Sequence, residues 1–599
     1  MISVSDYIIK FLVNKGIDHT FVLPGGAAMF LNDAVANNKD MKYTAVHHEQ
    51  TTTIAAECYG RYRNKMAVAM VTAGPGSTNA ITGVAGAFID SAPMLVLSGQ
   101  SKRVQTVQNS GLSNFRQMGA QEVDIIPVVK SITKFSIMVN DPQKIKYYLE
   151  KAIYLANEGR KGPVWLDIPI DVQSSLIDEN VLSGFDLEEV EEQEYDNILE
   201  KAELFIELVK SAKRPVVIAG NGVRSSNSEG LLYEVIINKL DIPVVTTRLG
   251  CDVIEYDNKN YVGRVGIRGD RAGNFAMQNA DLVISLGSRL CVPVTGYDYD
   301  LFAREAKVVM VDIDDAELNK NTVTIHYPMK CELNLLLTKI NELLGESKVS
   351  HNEWIEKCNH WKNKFITTVD EYFKQKEFVN TYCLVDSISK LCNEQDVILS
   401  DAGSAVDVVY HAFNITKKQR VLLSGGLASM GHSLPGSIGA AVASNKNVIC
   451  ITGDGSVHMN IQELSTIAFN NLPVKIFVLN NNGYLTIRGA QYNHFNGRLI
   501  AEGRNSGLDF PNFEILANAY NLPYVKIENN EQLKAGINKV LELEGPVFCE
   551  VMVAERQLIA PKQSSMAMPD GTMVSRPLED MSPFLSREEF EKEMVIKTI

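Results

Sequence analysis

A chain of 599 residues is too long for one hydrophobic core and predicts three or four units of ordinary domain size. Its 45% hydrophobic and 22% charged residues describe a globular protein, and a formal charge of −14 argues against nucleic acid as the main partner. A local basic patch remains compatible with a small anionic ligand.

At the N-terminus, "MISVSDYIIKFLVNKG" carries charges at Asp6 and Lys10 that interrupt any signal-like apolar run. No stretch approaches the roughly 20 apolar residues that cross a bilayer, so neither membrane nor export is expected and the location predicted is cytoplasmic. "FVLPGG" places a strand before Gly25 and Gly26. "YTAVHHEQTTTIAAECYG" predicts a strand and then a helix with Glu49 at its mouth. "MAVAMVTAGPGSTNAITGVAGAF" predicts a strand, a Gly/Pro loop holding Gly74 and Asn79, and a small-residue helix.

The acidic "DENVLSGFDLEEVEEQEYDN" reads as a solvated linker. Beyond it, "PVVIAG", "DLVISLGS" and "KVVMVDID" are continuous apolar runs, as expected for strands buried on both faces. "NEWIEKCNHWKNKFITTVDEYFKQK" reads as a polar helical connector into a third segment. The chain closes on a turn-rich tail with a short amphipathic helix, expected to fold back on the body. Nine cysteines without a CxxC pair or Cys/His cluster suggest neither zinc nor disulfides. Apolar runs that end in Gly or Asp, each followed by a helical pattern, predict βαβ units. The fold class expected is α/β, with three doubly wound parallel-sheet domains at residues 1–175, 190–345 and 378–555, and a tail at 556–599.

One stretch of the third segment, "GDGSVHMNIQELSTIAFNNLPVKIFVLNNN", carries chemistry. It follows the strand "NVICIT", and Ile461, Leu464 and Ile467 keep helical spacing before the next strand, "VKIFVL". A right-handed crossover leaves both strands ending on one sheet edge, where ligands of parallel sheets bind. Asp454 and Asn481, 27 residues apart, are thereby brought close. A carboxylate, an amide oxygen and a backbone carbonyl suit Mg²⁺, and Gly453 and Gly455 admit a diphosphate to the backbone. A plain turn and capped strand ends would also produce either fragment alone.

With "GDGS" and the second Asn of "NNN" in place, the chain resembles the thiamine-diphosphate enzymes of the acetolactate synthase and pyruvate oxidase superfamily. The resemblance covers roughly residues 1–555, ordered as pyrimidine-binding, central and diphosphate-binding domains. It implies thiamine diphosphate held through Mg²⁺ by Asp454, Asn481 and the Gly483 carbonyl, with Gly453, Gly455 and Ser456 along the diphosphate. "SGGLASMGHSLPGSIGAA" is similar to the family's GGLGxMGxxLPxAIGA, which makes Met430 the residue beneath the cofactor rings. Glu49 matches the catalytic glutamate, and a dry setting suits it to exchange a proton with a ring nitrogen. Glu57, within the helix, reads as structural; His47 and His48 read as local hydrogen-bonding groups. Gly25, Gly26, Gly74, Asn79 and Gly403 match the remaining cofactor loops.

In acetolactate synthases the central domain binds FAD, and the corresponding contacts here are Gly220, Gly222, Gly266, Arg268, Gly287, Arg289 and Asp312. Such glycines also occur in any α/β domain. Cys291 and Pro293 replace an Asp and an Arg near the flavin. The family's FQE is Ala120-Gln121-Glu122, where Gln121 is the second catalytic residue, expected to face the reacting carbons. The family's GQHQM is Gly403-Ser404-Ala405-Val406-Asp407, and a Trp expected after the asparagines is missing. Large groups have become small around the acceptor.

The implied activity is decarboxylation of pyruvate, a 2-oxo acid, and transfer of its two-carbon unit to a second carbonyl acceptor. Alternatives are a larger keto acceptor such as a keto-sugar nucleotide, a simple decarboxylase or pyruvate oxidase, and a silent partner subunit. The family splits its cofactor site between subunits, which implies a homodimer or homotetramer.

Overall fold

Unbroken apolar runs such as Ala67–Val71, Pro215–Ala219 and Leu282–Leu286 form strands whose every residue is buried. In the computed structural model, which describes residues 1–189, 195–416, 418–567, 570 and 572–599, such strands make three six-stranded sheets. Residue 190, the expected start of the central domain, lies outside the described residues, as does part of the acidic linker.

The first sheet contains β1 (His19–Val22), β2 (Lys42–Ala45), β3 (Ala67–Val71), β4 (Met94–Gln100), β5 (Phe135–Met138) and β6 (Pro163–Pro169), in the order β2-β1-β3-β4-β6-β5. The central sheet contains β7 (Pro215–Ala219), β8 (Val244–Thr246), β9 (Tyr261–Arg264), β10 (Leu282–Leu286), β11 (Lys307–Asp312) and β12 (Tyr327–Lys330), in the order β9-β8-β7-β10-β11-β12. The third contains β13 (Val397–Ser400), β14 (Arg420–Leu423), β15 (Val448–Gly453), β16 (Val474–Asn480), β17 (Tyr524–Ile527) and β18 (Val547–Met552), in the order β14-β13-β15-β16-β18-β17. All pairs within the three sheets are parallel.

The first and third sheets thus share one topology. The central sheet has the strand order of dinucleotide-binding folds. Strand order reverses between β1 and β3, between β7 and β10, and between β13 and β15. Each reversal opens a crevice at the carboxyl edge, and the predicted glycine and aspartate loops emerge there.

One core joins the first and third domains. Helix Glu49–Arg63 is capped by His48, whose Nδ1 accepts from the Gln50 N–H, and it ends on Asn64 in the left-handed region. Its small residues meet helix Ser433–Ser444 so closely that a Cβ on Gly439 would lie 2.0 Å from the Ala55 carbonyl oxygen. Glu57 sits buried in this contact, 3.0 Å from Arg61 Nη1 and 3.4 Å from His432 Nε2. Burial opposes the Glu57 charge, but His432 and then Arg61 bring its pKa below the usual carboxylate range. Burial likewise opposes the His432 charge, while Cys58 and Glu57 raise its pKa well above the ordinary value.

The signs define a window. The His432 contribution is complete below the unfolded histidine pKa and is lost as pH rises through the raised folded value. The Glu57 contribution is present above the unfolded carboxylate pKa and is lost as pH falls through the lowered folded value. Glu57→Gln removes the carboxylate that Arg61 and His432 share inside this contact, and we expect a loss of about 3–5 kcal/mol in denaturant unfolding at neutral pH. A loss below about 0.5 kcal/mol, the range of an ordinary surface substitution, would show that no charged network exists there.

Helix Asn352–Lys364 is more than a polar connector: Trp354, Cys358 and Trp361 pack into the central core, with Trp361 stacked on Phe275. Alternate polar residues hide that face in the composition. The tail folds back on the same core through Leu578 and Phe590, and Glu593 accepts from Trp361 Nε1 at 2.9 Å. All nine cysteines are free, and among the described residues no helix is long and apolar enough to cross a membrane.

Candidate active site

The β15–β16 crossover pairs Gly453 with Leu479, so Asp454 and Asn481 leave neighbouring strand ends. Asp454 is buried; its Oδ2 accepts from the backbone N–H of Asn481 at 2.9 Å and of Gly483 at 3.0 Å, and its Oδ1 from Gly455 at 2.7 Å. Burial pushes its carboxyl up to about 6, against the pull of those three donors. Gly483 has φ +150°, and a Cβ there would lie 2.0 Å from the Glu502 carbonyl oxygen. A Cβ on Gly455 would strike the Tyr484 ring.

The three asparagines separate by partner. Asn480 Nδ2 donates to Glu550 and Asn482 Nδ2 to Glu555, whereas Asn481 Oδ1 is buried without a partner. A buried oxygen left unpaired on the residue whose N–H holds a buried carboxylate fits a hard divalent cation.

Sequence reading missed the groups that brace this loop. Arg488, buried in helix Leu485–Phe495, donates to the carbonyl oxygens of Asn481, Asn482 and Glu555 and pairs with Glu502. Asp401, at the end of β13, accepts from Ser456 Oγ, which itself accepts from the Gly431 N–H at 2.9 Å. Asp90 of the first domain accepts from the N–H groups of Gly425 and Gly426, holding the Gly-Gly-Leu turn. Half-buried Met430 follows that turn, and Ala428, where the family motif has glycine, adopts φ +51°. Gly403 opens helix Gly403–Ala412 with φ +63°.

On the first domain, Glu49 is buried at the start of its helix, and Asn79 Nδ2 donates to its Oε2 at 3.0 Å. Gly25 and Gly26 follow β1; a Cβ on Gly25 would meet the Thr72 side chain, while Gly26 faces open space. Gly74, with φ +61°, leaves room for the Gln121 carbonyl, which would lie 2.3 Å from a Cβ there. Gln121 itself has φ +57° and an exposed side chain. Its neighbour Glu122 is buried and accepts from the N–H groups of Val107, Met118 and Gly119, which fixes the loop. Ser101 Oγ donates to the Ala120 carbonyl, and Ala120 is exposed.

Within one chain the two loop sets communicate through Asn460, whose Nδ2 donates to the Gly431 carbonyl at 2.8 Å and to Gln50 Oε1 at 3.4 Å. The His47 N–H donates to Glu463.

Models of the thiamine pyrophosphate enzymes match in three pieces: the N-terminal TPP-binding domain at residues 2–126, the central domain at 202–340 and the C-terminal TPP-binding domain at 401–551. The acetolactate synthase large subunit of Lactococcus lactis is 31% identical, over 93% of this chain and 93% of that protein. The chain belongs to the thiamine pyrophosphate enzyme family. The large subunits of Cyanidium caldarium and Buchnera aphidicola are each 32% identical, over 94% of this chain and 95% and 97% of theirs.

Gly220, Gly222 and Gly287 meet at the β7/β10 reversal, where a Cβ on Gly222 would lie 2.4 Å from the Gly287 Cα. Gly266, with φ +108°, packs on the Pro293 carbonyl. Asp312, largely buried at the end of β11, accepts from the Asp314 N–H, and burial raises its pKa. Strand order and glycine crevice fit a dinucleotide. The two arginines also meet the third domain: Arg289 lies against Gly426, and Arg268 pairs with Asp407.

Proposed function

We propose that this chain is a Mg²⁺-dependent thiamine-diphosphate carboligase of the cytoplasm that decarboxylates pyruvate and passes the two-carbon unit to a second carbonyl. Acetolactate synthesis, with pyruvate as acceptor, is the first reading. The observation that carries it is buried Asp454 beside the unpartnered Asn481 Oδ1, in a chain that acetolactate synthases match almost end to end.

Asp454, Asn481 and the Gly483 carbonyl would hold Mg²⁺, with Gly453, Gly455 and Ser456 along the diphosphate and Met430 beneath the rings. When bound, thiamine diphosphate supplies the nucleophilic carbon and the electron sink for loss of carbon dioxide. Glu49 is the proton-exchanging group: the Asn79 N–H orients its Oε2 and leaves Oε1 to carry the proton. Gln121, on the loop that Glu122 fixes, orients the acceptor. FAD occupies the central crevice in this reading and takes no part in net redox chemistry. A homodimer or homotetramer pairs Glu49 of one copy with Asp454 of another. Met29, Met118, Met459 and Ile487, near these loops in sequence, are exposed in the single chain and support such an interface.

Ala120 and Ser404 favour a second reading, an acceptor larger than pyruvate; Ala405, expected beside them, is instead buried in the core of the third domain. A phenylalanine ring at residue 120 would contribute roughly 150–250 Å² of contact surface. The test is to supply the holoenzyme with ¹³C-pyruvate and a panel of ketones and to identify products by mass spectrometry. Labelled acetolactate supports the first reading, and a labelled adduct of a bulky ketone supports the second. Ala120→Phe is expected to suppress the bulky adduct at least tenfold while acetolactate persists. Equal loss of both products, or a parent that makes acetolactate alone, would remove the enlarged pocket.

A further inference from the structure

Glu463 is a buried carboxylate that the proposed chemistry leaves unused. It opens helix Glu463–Phe469 of the third domain and is 0% exposed. Among the described residues its partners are all neutral donors. Oε1 accepts from the His47 N–H at 3.1 Å and from Gln462 Nε2 at 3.5 Å, and Oε2 accepts from Thr466 Oγ1 at 2.7 Å. A buried carboxylate without a cation costs stability, and an apolar side chain of similar size would fill the space more favourably. Its one partner beyond its own helical segment is His47, in the first domain.

His47 lies in the turn that delivers Glu49. β2 ends at Ala45, and the Val46 N–H still reaches the Val22 carbonyl of β1 at 3.1 Å. The next N–H, that of His47, has left the sheet edge and is taken by Glu463. His48 then caps helix Glu49–Arg63, and its carbonyl accepts from the Thr51 N–H at 2.9 Å.

The same third-domain segment grips the other side of Glu49. Asn460 Nδ2 donates to Gln50 Oε1 at 3.4 Å, and Gln462 Nε2 donates to Asn460 Oδ1 at 3.2 Å. Glu49 is thus bracketed at residues 47 and 50, while Asn79 orients only the tip of its carboxyl group. Placement matters for proton exchange, since a misplacement of about 1 Å can cost about 10²-fold in rate.

We propose that Glu463 is a positioning residue for Glu49, holding the turn before it through the His47 N–H. The inference rests on the reading of Glu49 as the proton-exchanging group and names the third-domain residue on which its placement depends.

Hydrogen exchange of the apoprotein reads the hold without the cofactor. In Glu463→Ala, peptides spanning residues 45–50 are expected to exchange about tenfold faster than in the parent, the loss of one hydrogen bond. Glu463→Gln is expected to exchange as the parent does, because its amide oxygen still accepts from the His47 N–H. Turnover with thiamine diphosphate and Mg²⁺ reads the consequence. Glu463→Ala is expected to lose about 10–100-fold in kcat, and Glu463→Gln to recover most of it. Cofactor affinity should stay within about threefold of the parent, although Glu463 lies only nine residues after Asp454.

The deciding variant is Glu49→Gln/Glu463→Ala, expected to be no slower than Glu49→Gln alone. A group that acts through Glu49 has nothing left to position there, whereas a merely structural group slows both backgrounds alike. Multiplied losses, cofactor affinity that falls with turnover, or unchanged exchange at residues 45–50 overturn the positioning role. Glu463→Leu, which fills the space, repeats the cycle if the alanine variant does not fold. Failure of both to fold assigns Glu463 to the fold alone and also overturns it. A Glu49→Gln variant as active as the parent removes the reading of Glu49 and this inference with it, while a slow Glu49→Gln with multiplied losses removes the inference alone.

Discussion

Glu49→Gln is expected to bind thiamine diphosphate as the parent does and to lose about 10²–10⁴-fold in turnover, the usual contribution of a general acid–base group. The two side chains have the same shape. The Gln carbonyl can still accept the Asn79 N–H that now reaches Oε2, so the helix start and the Gly76 turn beside it are preserved. What is lost is the proton, which an amide cannot relay. Cofactor affinity by fluorescence titration and product formation from pyruvate separate these effects. Glu57→Gln is the matched control on the same helix: its expected defect lies in unfolding, since Glu57 is enclosed by Arg61 and His432. A Glu49→Gln turnover within a factor of two of the parent would move the proton transfer elsewhere.

Asp454→Ala is expected to lower Mg²⁺-dependent cofactor affinity by more than about 100-fold, exceeding the 10–100-fold typical of losing a group that only supports a ligand. The carboxylate has two tasks, charge for a divalent cation and acceptance of the Asn481, Gly483 and Gly455 N–H groups. Asp454→Asn separates them in part: its one amide oxygen can still accept from the Asn481 and Gly483 N–H groups, while the charge and the acceptor for Gly455 are gone. Both variants should therefore fail to bind the cofactor, with the Asn variant closer to the parent in melting temperature. Isothermal titration with and without Mg²⁺ reads the first quantity and thermal denaturation the second. Unchanged cofactor affinity in Asp454→Ala would end the metal assignment.

Sequence alone determined the features that depend on short stretches of chain. An apolar run ending in Gly-Asp-Gly, a helical spacing and a second apolar run make a crossover whose handedness is general, so two distant residues must share one edge. Glu49 at a helix mouth and the glycine loops of the first domain are local in the same sense. The three parallel sheets follow from strands with no polar alternation.

Sequence singled out Asn481, but only the tertiary structure supplied the physical reason: Asn480 and Asn482 are claimed by Glu550 and Glu555, 70 and 73 residues away, which leaves Asn481 Oδ1 without a partner. The tertiary structure alone placed Arg488 beneath the asparagine loop, Asp90 reaching from the first domain to Gly425 and Gly426, and Asp407 between two arginines of the central domain. Each is one polar residue in an otherwise ordinary helix or loop, and no periodicity marks it. The buried face of helix Asn352–Lys364 was hidden for a related reason: its Trp and Cys positions are diluted by charged neighbours that point to solvent. Backbone preferences and hydrophobic spacing act over a few residues and can be read in order. The partner of a buried charge is chosen by which elements the packed core brings together, and that choice exists only in three dimensions.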